Sequence, residues 1–310
     1  MTRWATRPLL HPIIRVPGPV PGSPDHMRKT LCLLIFLTCF TGRVRANHIT
    51  GGEMHYTYIG QTAAGYQYNV ELKLFMRCNS GRVFPNPIIV SIFDKGSYDR
   101  ITDMQVPLGN TNTIQLVNSD PCISNPPNVC YETATYQFDI TLPASADGYI
   151  LSASVNFRIN GISNIESNAS QVGATYTAEI PGTGAVANGM ENNSAVFTAS
   201  DLVVVCANNT MSYSFSAEDP DGDQLQYSFC SAYGSGMNVN AQQVTPINPP
   251  YPSVPYLLPD FNSDAPLGPL VSINNATGQI TGVAPAAGIY VVTVCVNEIR
   301  NGQIIATQRK

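Results

Sequence analysis

Three aspartates at alternate positions, Asp219, Asp221 and Asp223, form the densest group of potentially reactive side chains in this 310-residue sequence. They belong to the phrase Ala217-Glu218-Asp219-Pro220-Asp221-Gly222-Asp223. Alternate carboxylates suit a hard, oxygen-seeking cation such as Ca2+, with Glu218 as a further donor. The pattern is not an EF-hand. With Asp219 first, Gln224 stands where that loop needs its glycine, and Cys230 where it needs its last glutamate. The spacing is compatible with a sandwich-type Ca2+ site on Asp219, Asp221 and Asp223, or with an acidic turn solvated by water.

Other reactive groups are sparse. From Asn47 onward the only histidines are His48 and His55, whose spacing matches no zinc motif. A Ser-His-Asp or Cys-His arrangement would depend on one of them. Gly234-Ser235-Gly236 lacks the lysine of a phosphate loop. The sole tryptophan, Trp4, lies far from any acid pair. The chain therefore reads as non-enzymatic, with no catalytic residue assigned.

Eight cysteines are present, of which Cys32 and Cys39 fall in an apolar leader. The remaining six, Cys78, Cys122, Cys130, Cys206, Cys230 and Cys295, are an even number, as an oxidised framework requires. Six cysteines allow fifteen pairings, and sequence alone does not choose. Proximity favours Cys122–Cys130 around a Pro-rich loop. Cys230 and Cys295 both sit at strand-like runs and fit a cross-sheet pair, and Cys78 and Cys206 remain. No Cys-x2-Cys pair occurs, which argues against zinc.

The leader explains why oxidation is expected. Residues 27–46 carry Arg28 and Lys29, ten apolar-rich residues from Leu31 to Phe40, and Val44-Arg45-Ala46 before Asn47, the layout of a secretory signal. Its apolar core is shorter than the roughly 20 residues of a membrane span. Residues 1–26 precede a good start at Met27 and read as an upstream extension of the reading frame. Residues 1–46 hold seven of the sixteen Lys and Arg but one of the twenty-one acids. Nine basic and twenty acidic residues remain, a net of −11. Such a surface argues against nucleic acid.

The elements that must position these groups are strands. Tyr66, Tyr68, Val70, Leu72, Leu74 and Met76 alternate with polar neighbours, as do Tyr136 to Leu142 and Leu151 to Ile159. Ile88 to Phe93 and Tyr176 to Ile180 are shorter runs. Many short strands joined by Gly, Pro and Asn predict an all-β fold of sandwich type. Asp-Pro-Asp-Gly-Asp is dense turn chemistry. It predicts either a hairpin loop or a crossing between sheets, from the run ending at Phe215 to that starting at Leu225. Pro181-Gly182-Thr183-Gly184 and Asn188-Gly189 predict a boundary, giving domains 47–198 and 199–310. The Pro-rich stretch Pro246 to Pro269 reads as an extended loop across the second sandwich. Asn301-Gly302 predicts a turn into a final strand, Gln303 to Lys310, where the pattern stops midway as though the fold continued.

Asn275-Ala276-Thr277-Gly278-Gln279-Ile280-Thr281-Gly282, then Pro285, Gly288 and the run Ile289 to Val296, resembles an Ig-like family of bacterial surface proteins. The Asp-Pro-Asp-Gly-Asp turn is similar to those of cadherin-like and PKD-like modules, although the Trp-Asp-Phe-Gly-Asp-Gly phrase of PKD domains is absent. More broadly, residues 46–310 resemble the N-terminal part of large secreted proteins of Bacteroidota. The matching elements are Asn47 to Met54, Arg77-Cys78-Asn79, Pro126 to Cys130, Gly173 to Ala178 and Cys295 to Gly302. Such proteins are associated with gliding motility and carry a C-terminal sorting domain for type IX secretion. Adjacent cysteines common in that family are replaced here by Asn156-Phe157-Arg158-Ile159, which leaves the partner of Cys78 open. The resemblance implies two β-sandwich domains, the second Ig-like, in a secreted cell-surface protein used for adhesion or scaffolding. Its partner would be a protein or glycan at a cell surface or in the matrix. The alternative is a polysaccharide-recognition module of a larger exported protein.

Overall fold

The alternating runs become strands because each presents one apolar face. In a computed structural model that describes residues 49–78, 80–115, 129–166, 172–201, 203–236 and 243–310, the first half contains eight strands. They are β1 (Ile49–Thr62), β2 (Gly65–Arg77), β3 (Ile88–Asp94), β4 (Arg100–Val106), β5 (Thr111–Gln115), β6 (Cys130–Leu142), β7 (Gly148–Val155) and β8 (Ala174–Pro181). The proposed leader, residues 27–46, the extension 1–26 and Cys122 lie outside the described residues.

Two antiparallel sheets face each other in this half. One has the order β1-β2-β6-β5; the other runs β4-β3-β7, with β8 also paired to β7. The even-numbered side chains Tyr68 to Met76 of β2 are fully buried against Val90, Ile92, Leu151 and Ala153 of the facing sheet. Strict alternation makes this core, since the side-chain period of a strand is two. β7 departs from it. Ser152 and Ser154, expected on a wet face, are as buried as Leu151 and Ala153. The cause is distant in sequence. A short strand β13 (Gln243–Val244) pairs with Val155 and Ser154, and Tyr251 packs on Phe93 and Ile150. The Pro-rich stretch thus crosses the outer face of the first sandwich, where a connection over the second was expected.

The second half adds β9 (Val196–Phe197), β10 (Thr210–Ser214), β11 (Ala217–Glu218), β12 (Gln224–Phe229), β14 (Val271–Ile273), β15 (Gln279–Val283), β16 (Val294–Arg300) and β17 (Gln303–Arg309). The sheets are β10-β15-β14, β12-β16-β17 and the short pair β11-β9. They enclose a core of Phe197, Tyr227, Phe229, Val271, Ile280, Val294 and Val296. The Asp-rich turn links β11 to β12, which belong to different sheets, so it is the sheet crossing rather than a hairpin loop. Asn301 and Gly302 both take positive φ, 55° and 77°, as a two-residue type I′ hairpin between β16 and β17 demands.

The run expected as one strand from Ile289 to Val296 forms a strand only from Val294. Upstream, the Asn164 side chain stands in for a neighbouring strand: its Oδ1 accepts from Val291 N at 2.9 Å, and its Nδ2 donates to Val291 O at 2.7 Å.

Gly282 is needed in β15. Its φ is 147°, and a Cβ there would stand 2.0 Å from the Leu270 carbonyl oxygen. Gly282→Ala is expected to lower unfolding free energy by about 2–3 kcal/mol, since strain and a backbone clash combine. Urea denaturation would measure it as a lower midpoint at unchanged slope.

The described residues from Ile49 onward form one compact unit. The passage expected to divide it is packed: Met190 is fully buried, and its carbonyl accepts a hydrogen bond from the Tyr68 hydroxyl. Ser194 N donates to Tyr56 O at 3.1 Å. β17 runs alongside β8, and Lys95 bridges them, with Nζ 3.2 Å from Ile305 O and 2.8 Å from Glu179.

Candidate functional site

Asp219, Asp221 and Asp223 do converge, with one oxygen of each within 4.8 Å of the others. The turn itself organises them, because Asp219 Oδ1 accepts from the backbone N of Asp221 (2.9 Å) and of Asp223 (3.0 Å). What the sequence did not disclose is the cation already there. Arg300, from the end of β16, holds Asp223 through both carboxylate oxygens, Nε–Oδ1 2.7 Å and Nη2–Oδ2 2.6 Å. It also reaches Asp221 at 3.2 Å and Asn192 Oδ1 at 2.6 Å. Asp221 in turn accepts from the Asn193 backbone and side chain, both at 2.7 Å. Glu218 is not among the converging oxygens. Burial raises the Asp219 carboxyl, and its Oδ2 is the one oxygen of the turn that is buried without a partner.

Behind this cluster lies Glu298, fully buried on β16. It accepts from Ala195 N and Asn192 Nδ2, each at 2.7 Å, and from Gln308 Nε2 at 3.1 Å. Burial pushes its carboxyl up to about 7 from the ordinary 4.5, against those hydrogen bonds, and the nearby Asp219 charge adds to the rise. A carboxyl raised on folding favours the folded state while protonated. That contribution is complete below pH 4.5 and is lost as pH rises through 7. The melting temperature is therefore expected to fall between about pH 5 and pH 8, and Glu298→Gln to flatten that fall. An unchanged slope in the variant, read by thermal denaturation, would place the titration elsewhere.

The disulfides differ from expectation. Cys78 is bonded to Cys130, across the ends of β2 and β6, where Arg77 faces Tyr131. The expected Cys122–Cys130 pair is therefore replaced: strand register brings Cys78 to Cys130, and closeness in sequence does not decide. Cys206 is also disulfide-bonded, and not to Cys78. Cys230 is bonded to Cys295, within one sheet rather than across two.

A cleft of about 950 Å3 lies between the two halves. β1, β2 and β8 wall one side. β10, β15 and the segment Ala284–Thr293 wall the other, with Val203–Ala207 along the rim. Its charges are distinctive. Of the nine Lys and Arg from Asn47 onward, five form salt bridges among the described residues, namely Lys73, Lys95, Arg100, Arg300 and Lys310. Of the other four, three line this cleft: Arg77, Arg158 and Arg309. Lys310 also lines it, and Asp201 is the one acid among its described lining residues.

Two of these arginines are held by something other than a carboxylate. Arg158 is buried, with Nε donating to Gly173 O at 2.6 Å and Nη2 to Tyr233 O at 2.8 Å. Its burial lowers its pKa, the mark of a charge held at a desolvation cost. Arg309 stacks over the Tyr233 ring, 4.3 Å from the centroid. Arg77 is exposed at the end of β2. Asp201 is shared between Lys73 and Lys310, at 2.6 and 2.5 Å. Burial would push Asp201 up, but those hydrogen bonds outweigh it and hold its carboxyl below the usual range. Two buried cleft oxygens lack partners among the described residues, Thr50 Oγ1 and the Tyr176 hydroxyl. Burial pushes Tyr176 up to about 12, despite Arg158 beside it, so it stays protonated as a donor.

The arrangement can bind an anion with an apolar body: arginines for charge, Met211, Phe215, Leu267 and Ile280 for apolar contact. None of these groups was assigned a binding role from sequence. The available signal was scarcity, since so few cations in an acidic chain invite the question of which lack acids.

Fold and site together define an all-β protein of antiparallel sandwich type, and among the described residues no helix is long and apolar enough to cross a membrane. No protein-family model, curated protein or solved structure matches the chain.

Proposed function

We propose that this is a secreted, non-enzymatic cell-surface protein, used for adhesion or as a structural scaffold, which holds its ligand in the arginine-lined cleft. The observation that carries this reading is the gathering, in one cavity of a net-acidic chain, of three arginines that have no carboxylate partner among the described residues. Burying Arg158 without a counter-charge costs free energy, and a bound anion would recover part of it. Burial raises the cleft hydroxyls of Tyr131, Tyr176, Tyr213 and Tyr233 and so holds them protonated, which suits binding rather than proton transfer at neutral pH. Glu298, whose carboxyl does approach neutrality, is sealed away from the cleft. Export is supported by the leader at 27–46 and by cysteines oxidised as in secreted proteins. A gliding association in Bacteroidota, with an Ig-like second half, rests on the resemblance of Asn275 to Val296 and of Asn47 to Met54.

A second reading, polysaccharide recognition, is favoured by Tyr131, Tyr176, Tyr233 and Tyr290 in the same cleft, since rings beside arginines can seat an acidic sugar. Beads coated with the purified protein are expected to adhere to cells or extracellular matrix, with no turnover of glycan or peptide substrates. Specific retention on a glycan array would move the assignment to the second reading, and steady hydrolysis would overturn both.

A further inference from the structure

We infer that the cleft takes an extended peptide segment carrying carboxylates, added as a strand between two open backbone edges. This rests on the cleft being the binding site and goes further by naming what enters it.

The first edge is Val203-Val204-Val205, a run with neither turn nor bend. No backbone N–H or C=O of these three residues is hydrogen-bonded among the described residues. The second is Tyr290 to Val292, also unbent. Here the bonds alternate. The Ile289 carbonyl accepts from Ser163 N, Val291 is held on both its polar groups by Asn164, and the Thr293 carbonyl accepts from Cys230 N. The backbone groups of Tyr290 and Val292 are bonded to nothing among the described residues. In extended chain, alternate residues point their backbone groups to opposite sides. One side of this run is therefore closed by Asn164 and its neighbours, and the other is an unpaired edge. Both runs line the cleft.

An unpaired edge inside a cavity needs a partner that brings both donors and acceptors, which a peptide backbone does at every residue. The side-chain chemistry completes the description. Apolar walls from Met211, Phe215 and Ile280 take alternate apolar residues, and Arg77, Arg158 and Arg309 take carboxylates. A sugar acid would answer the arginines but not the two rows of amides.

The test uses the purified protein and a capped peptide of about six residues, an ordinary strand length, alternating valine and glutamate. Its controls are the valine–lysine counterpart, the same peptide N-methylated at alternate amides, and oligogalacturonate as a carboxylated sugar. Binding of the valine–glutamate peptide is expected, weakened about tenfold or more by N-methylation and by Arg77→Glu or Arg309→Gln, as for loss of a charged hydrogen bond. The lysine peptide should not bind. Hydrogen exchange of the amides at 203–205, 290 and 292 is expected to be fast in the free protein and slowed by the peptide. If oligogalacturonate binds with the same arginine dependence while the peptide does not, the cleft reading stands and the peptide inference falls. If those amides are protected in the free protein, the edges are closed and the inference falls too. If nothing binds in an Arg77-dependent way, both fall.

Discussion

Replacing Cys230 and Cys295 together by alanine is expected to destabilise the protein by about 4 kcal/mol or more, the largest single effect in this fold. The bond spans a sequence separation of 65, and the loop it closes contains the Pro-rich crossing to the first sandwich. Freeing that loop in the unfolded chain accounts for the estimate in the chain-entropy view. Cys78–Cys130, at a separation of 52, gives nearly the same entropic figure because the dependence is logarithmic. Burial separates the two. Cys295 sits 5% exposed in the central strand of its sheet, so losing its sulfur also leaves a buried space on that strand. The Cys230/Cys295 double variant should therefore unfold at lower denaturant than the Cys78/Cys130 one. Guanidinium titrations of the two would show it; equal midpoints would mean that the loop term alone matters.

Arg300→Ala is expected to cost about 2 kcal/mol. Removing one partner of a fully buried pair costs roughly 3–5 kcal/mol, and Arg300 retains 21% exposure, which screens part of it. Three carboxylates then face one another with no counter-charge, and Asn192, which also ties down Glu298, loses a bond. Arg300→Lys should recover only a fraction, because an ammonium cannot grip both oxygens of Asp223. The same substitution addresses calcium. Arg300 sits where a cation would neutralise the turn, so millimolar Ca2+ should raise the melting temperature more in Arg300→Ala than in the native chain. Equal shifts would place any Ca2+ away from Asp219, Asp221 and Asp223.

How much of this was legible in the sequence depended on range. Tyr68 to Met76 declare a strand face outright, because alternation is a local property that burial simply obeys. Asn301-Gly302 declares its hairpin for the same reason: only certain residues take positive φ cheaply. Ser152 and Ser154 were misread because what covers them, Val244 and Tyr251, arrives from ninety or more residues away. Cys78 finds Cys130 through the pairing of β2 with β6, and no spacing rule contains that register. Ile289 to Thr293 carries strand composition, yet at its centre an asparagine side chain takes the place of a neighbouring strand. The three aspartates were visible as a cluster, but their counter-ion lies on another strand, 77 residues beyond Asp223. The cleft was the least legible feature. A sequence counts cations and acids, whereas which cations are left without acids is decided by the fold.

The central claim is that Arg77 and Arg309 act by holding a ligand in the cleft. The most direct measurement is adhesion of coated beads by three proteins: the native chain, Arg77→Glu/Arg309→Glu, and Arg82→Glu. Arg82 also has no salt bridge among the described residues but is not among those lining the cleft, so it controls for charge alone. The account predicts that adhesion is lost in the double variant and kept in Arg82→Glu. Equal adhesion in all three, or equal loss in both variants, would contradict it.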